Sequence, residues 1–174
     1  AGAPVRLTDH PRRTVWEKGL LVAATAPVLS LTGRAVAALD CPPLAPAVDA
    51  LLAEGVTVAT ARGIDVDGDG IRATIADLAT SHGDHEVSMA QDVARGRRTE
   101  VDELNGAIVA YGAENGVATP ANRTVAALIR GLAGGDDGRE HEGERPTRAD
   151  GRTPGGADRG RPPCVSVGET GGLR

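Results

Sequence analysis

The chain has 174 residues, among them 24 glycines and 11 prolines, with one Trp, one Tyr and no Phe. A formal charge of -5 gives no basic field for phosphates, and the scarcity of aromatic rings removes the stacking platforms of single-stranded nucleic-acid binders, so no nucleic-acid partner is expected. The 40% hydrophobic fraction must therefore build its core from Ala, Val, Leu and Ile, which favours packed helices.

From Thr14 to Leu31 the run TVWEKGLLVAATAPVLSL is apolar almost all round, with Glu17 and Lys18 as its only charges. It predicts a buried helix that Pro27 kinks or ends. After Cys41-Pro42-Pro43, the stretch 45–62 places Val48, Leu51, Leu52 and Val56 at helical spacing, with Gly63 as a natural stop. Asp67 or Asp69 can cap a third helix, in which Ile71, Ile75 and Leu78 recur before the polar break 81–84.

A short helix is predicted over Ser88 to Ala94, broken at Gly96. A further helix then puts Val101, Leu104, Ile108 and Tyr111 on one face and ends near Gly116. The last helix starts with Thr119 as a cap and Pro120 at its first position, and it stops at Gly134-Gly135. No alternating strand pattern occurs, so the fold class expected is all-α, a helical bundle over 1–135. Residues 136–174 are rich in Gly, Arg, Asp, Glu and Pro and are expected to form a disordered low-complexity tail.

Cys41 and Cys164 lie far apart with no CxxC spacing, and are read as free thiols in a reducing compartment. No apolar stretch reaches the roughly 18 residues of a membrane span, and the start AGAPVRLTDHPRR lacks a signal-peptide pattern. The expected location is cytoplasmic, with no membrane partner.

Lys18 is the only lysine among 19 Lys and Arg residues, and it sits on an apolar helix. A lysine partly withdrawn from water is a proton donor of tunable strength, whereas an arginine there is not. The competing reading is a stem packed on its neighbours with the amine in solvent. The dense segment 88–106 adds Ser88, able to hydrogen-bond a carboxylate or hydroxyl, and Glu100, able to accept from a hydroxyl or steady an ammonium. Spacing alone equally allows a solvated face, with Thr99 and Asp102 as a capping signal.

Other signals lead elsewhere. Asp65, Asp67 and Asp69 imitate a calcium loop, but its twelfth position is Ala76 where a bidentate glutamate is needed. His82 and His85 are read as loop histidines, because no second cluster completes a metal site, and no metal is expected. Arg95, Arg97 and Arg98 form a short basic turn with no assigned role.

Three blocks carry a resemblance: Trp16-Glu17-Lys18 before an apolar helix, the motif S-M-x-Q-D-x-x-x-G-R-x-T-E-V-D-x-x-N-G over 88–106, and G-V-x-T-P-x-N over 116–122. Together they resemble the C-terminal domain of ketopantoate reductases (2-dehydropantoate 2-reductases), over the chain up to about Gly135. The resemblance implies an NADPH-dependent oxidoreductase of pantothenate biosynthesis that reduces ketopantoate to pantoate. In it Lys18 is the catalytic acid, and Ser88 and Glu100 bind the substrate, a small 2-keto acid.

The family usually has asparagines four and eight residues beyond the lysine, where this chain has Val22 and Ala26. The chain also lacks the GxGxxG loop, so NADPH is expected to be bound by a domain outside these residues. A homodimer or a separate nucleotide-binding domain is then the implied partner. The alternative is a truncated, non-catalytic helical module used for dimerisation or partner binding.

Deleting everything after Gly135 is expected to leave the far-ultraviolet helical signal and the thermal midpoint nearly unchanged. A large loss of either would show that this segment packs.

Overall fold

Pro11 opens the first helix, α1 (Pro11–Thr32), at the position where a missing N–H is no loss, and Gly33 closes it with a left-handed φ of 62°. The computed structural model describes residues 10–134, and every regular element in them is helical. After a 3-10 turn (Val36–Asp40) come α2 (Ala45–Ala61), α3 (Gly68–Ser81) and the short α4 (Ser88–Ala94). A π-helical segment (Asp102–Gly106) runs into α5 (Ala107–Glu114), and α6 (Pro120–Leu132) follows. The expected tail, 136–174, and Cys164 lie outside the described residues.

Pro27 neither ends α1 nor breaks it; the helix continues five residues further, to Thr32. A proline inside a helix leaves the carbonyl four residues earlier, here that of Ala23, without its backbone donor. The side chain of Asn105 supplies the missing bond, its Nδ2 donating to the Ala23 carbonyl at 2.9 Å. The same Nδ2 donates to Asn122 Oδ1 at 2.9 Å, and the Asn122 amide donates in turn to Leu51 O at 3.2 Å and Glu54 Oε2 at 2.8 Å. Both asparagines are wholly buried, at 0% exposure, so these bonds form in a low-dielectric interior where an unmade one is costly.

The cap of α6 comes from the same network. Thr119 makes no side-chain cap bond, contrary to the sequence expectation. Pro120 has no N–H to satisfy, and the next two, of Ala121 and Asn122, donate to the two oxygens of the Glu54 carboxylate at 2.8 and 2.9 Å. The fourth, of Arg123, reaches the Thr119 carbonyl at 3.0 Å. A negative carboxylate here also complements the positive end of the helix. By contrast, α3 is capped locally as predicted, with Asp67 Oδ1 accepting from Gly70 N at 2.9 Å.

The helices enclose two apolar clusters. The larger joins α1 to α2 and α3 through residues such as Leu29, Leu52, Val58 and Ile71, and each fully buried large side chain contributes about 1.5 to 3 kcal/mol of transfer free energy. Gly55 leaves room on α2 for Leu20 of α1, whose methyl a Cβ would meet. The smaller cluster is Ala26, Met89, Val101, Ala126 and Ile129. Val101 and Ile108, expected on one helical face, thus serve different clusters, because the π-helical turn between them shifts the phase of the helix. Cys41 is buried and disulfide-bonded, so its reading as a free thiol is corrected, and because the deletion after Gly135 removes the only other cysteine, that deletion tests packing only when compared with the full chain under reducing conditions. Among the described residues no helix is long and apolar enough to cross a membrane.

Replacing Asn105 by alanine should lower the unfolding free energy by about 2 to 4 kcal/mol, since it strands two buried acceptors. Pro27→Ala in that background returns an N–H to the Ala23 carbonyl and should recover part of the loss in urea unfolding. Strictly additive effects of the two substitutions would show that Asn105 does not serve that carbonyl.

Candidate functional site

The three residues Trp16, Glu17 and Lys18 divide their work by direction. Trp16 packs on Tyr111 of α5 with ring centroids 5.7 Å apart, and Arg62 lies over the other partner's ring, 3.9 Å from the Tyr111 centroid. Glu17 accepts from Arg13 at 2.8 Å and from the backbone N–H of Asp67 at 3.0 Å, tying α1 to the start of α3. Lys18, two positions from Trp16, points away from the Tyr111 contact, because helical residues two apart do not share a face. It is exposed, and it makes no hydrogen bond or ion pair among the described residues. Lys18 is therefore an exposed amine and not a partly buried one.

From Lys18 a stripe runs along α1 at four-residue steps of about 6 Å, through Val22 and Ala26. Val22 and Ala26 line a groove of about 400 Å³, together with Leu21, Thr25 and Leu29. Ser88 and Glu100 line the same groove. Each of these two is held by a buried neighbour in the smaller cluster: Ser88 precedes Met89, and Glu100 precedes Val101, and both anchors pack with Ala26. Packing around Ala26 thus gathers side chains from three separate segments. Ser88 and Glu100 are themselves exposed.

The rest of the groove was not visible in the sequence. Val36 and Leu39 of the 3-10 turn and Leu78 of α3 complete its apolar wall. His82 and His85, read as ordinary loop histidines, also line it. Their loop is held to the 3-10 turn by two backbone bonds, Val36 N to His85 O and Ala37 N to Gly83 O, both 3.0 Å. The signal that could have found them is their position a few residues before Ser88. Arg97 and Arg98 pair locally with Asp92 at 3.5 Å and Glu103 at 3.0 Å, as fits a solvated basic turn.

Residues 11–133 match the family described as Ketopantoate reductase PanE/ApbA C terminal. A 2-dehydropantoate 2-reductase of Halobacterium salinarum is 35% identical over 130 residues, which is 74% of this chain and 43% of that protein. One from Archaeoglobus fulgidus is 33% identical over 139 residues, 78% of this chain and 45% of its own. Among solved structures, a PanE/ApbA family ketopantoate reductase from Ralstonia eutropha aligns with a TM-score of 0.70 at 32% identity, covering 76% of this chain and 44% of that one. D-mandelate dehydrogenase, solved with NADH and anilino(oxo)acetate, aligns at 0.69 and 25% identity, covering 72% and 53%. The chain spans less than half the length of the curated relatives it matches.

Ser88→Ala and Glu100→Ala should each change the unfolding free energy by no more than about 0.5 kcal/mol, as exposed side chains outside the network do. A larger loss in thermal or urea unfolding would give them a structural role instead of a binding one.

Proposed function

The chain belongs to the ketopantoate reductase family, and on that premise we propose that residues 10–134 form the substrate-binding, acid-supplying domain of an NADPH-dependent 2-dehydropantoate 2-reductase. The observation that carries this reading is the stripe from Lys18 through Val22 and Ala26, which leads into the groove shared by Ser88 and Glu100. In this reading the 2-oxo acid lies across the stripe. Its carbonyl oxygen faces the Lys18 amine, and its polar groups meet Ser88 and Glu100.

The described residues hold no strand and no glycine-rich strand-to-helix turn, so they do not fit a dinucleotide. A hydride donor such as NADPH would have to be held by residues outside those described. Were a hydride delivered to the carbonyl carbon, the Lys18 ammonium would donate its proton to the oxygen as the carbonyl π bond breaks, leaving the 2-hydroxy acid and a neutral amine. An ammonium suits this role because it both offsets the growing negative charge and can give up a proton, which a guanidinium does not do near neutral pH.

An exposed amine is consistent with a groove that is closed by a facing domain, which would exclude water from Lys18 and strengthen its interaction with the alkoxide. The second reading, a non-catalytic module for dimer or partner contacts, is favoured by the exposed apolar side chains Val15, Leu128 and Leu132.

In an enzyme carrying this domain with its nucleotide-binding domain, Lys18→Ala should lower kcat by roughly 100-fold or more, with the fold unchanged. Lys18→Arg should keep the charge and fail to restore turnover. Undiminished turnover in both variants would remove Lys18 from the reaction and leave the module reading in its place.

A further inference from the structure

We infer that the groove selects a 2-oxo acid with a branched, wholly apolar side chain over one whose side chain bears a hydroxyl, such as ketopantoate. This rests on the reductase reading: ketopantoate remains a substrate, and the analogue without the hydroxyl is the better one.

The groove is layered by polarity. Its buried or half-buried lining is aliphatic: Val22, Ala26 and Leu29 on one side, Val36, Leu39 and Leu78 on the other. Its polar side chains, apart from one, are exposed, and they come from the loop and turns around α4: His82, His85, Ser88 and Glu100. The exception is Thr25, which is buried, and its hydroxyl hydrogen is already committed to the Leu21 carbonyl at 2.8 Å. The α1 wall therefore presents no uncommitted hydrogen-bond donor next to the stripe that begins at Lys18.

A 2-oxo acid has one polar end, the carboxylate and carbonyl, and one variable end. With the carbonyl held near Lys18 and the polar end among the exposed groups, the variable end lies against the aliphatic lining. A branched side chain of four to six carbons removes apolar surface from water there at no polar cost. A side-chain hydroxyl in the same place loses its water partners and finds no donor on α1 in exchange. An apolar wall discriminates against an added hydroxyl only moderately, by up to about 100-fold, whereas a wall built to bond that hydroxyl would reject the analogue lacking it far more strongly. The direction of the preference is thus a direct report of the wall's chemistry.

The test compares ketopantoate with 3,3-dimethyl-2-oxobutanoate, which differs from it only in lacking the hydroxyl. In the intact reductase containing this domain, kcat/KM should favour the deoxy acid by roughly 10-fold or more. Val22→Asn should shift that ratio toward ketopantoate by a similar factor. A wild-type preference for ketopantoate would overturn the inference. Calorimetric binding of the same two acids gives the ranking independently of turnover. If neither acid is reduced, the reductase reading fails, and the groove is judged by binding alone: tighter deoxy acid upholds its selectivity, and equal or reversed affinities overturn it.

Discussion

The Ala23 carbonyl, deprived of its helical donor by Pro27, is the point around which this bundle is organised. One side-chain amide, that of Asn105, answers it, and a chain of buried bonds then runs through Asn122 to Glu54 and Leu51. Four elements, α1, the π-helical segment, α6 and α2, thereby meet at two asparagines. A network of this kind rigidifies only when its members are satisfied. Asn105 Nδ2 and both Glu54 oxygens are used, while Asn105 Oδ1 is the buried oxygen left without a partner.

The geometry of the groove depends on that repair. Lys18, Val22 and Ala26 share a face because they stand four residues apart on one continuous helix. Because α1 continues to Thr32, Ala26 can serve twice, as part of the smaller apolar cluster and as part of the groove wall. Met89 and Val101 join Ala26 in that cluster, and each carries an exposed polar neighbour, Ser88 and Glu100, to the same place. The site is thus positioned by apolar packing directly beneath it, and few of its polar groups bond one another.

The motif that marks the family therefore mixes two kinds of residue. Asn105 and Asn122 are wholly buried and hold the fold, whereas Lys18, Ser88 and Glu100 are exposed and are open to a ligand or a facing domain. Replacement of the buried kind would be expected to cost stability, whereas replacement of the exposed kind would leave the packing intact. The chain covers less than half the length of its curated relatives.

The helices, most of their approximate limits and the all-helical class were legible in the sequence, because they follow from short-range causes: apolar spacing at three and four residues, Pro120 at a helix start, Gly63 beyond a helix end, and Asp67 reaching an N–H three residues on. The pairing of Lys18 with Ser88 and Glu100 came from motif resemblance, and that Ser88 and Glu100 line one groove with Val22 and Ala26 was not deducible from spacing. What tertiary structure alone decided involves partners far apart along the chain. Asn105 lies 82 residues from the carbonyl it serves, and Glu54 lies 67 from the N–H it caps. The aliphatic wall of Val36, Leu39 and Leu78 likewise comes from segments with no common period. Local propensity registers a proline as a break and a threonine as a cap; which distant side chain satisfies the orphaned backbone group is settled only when the helices pack.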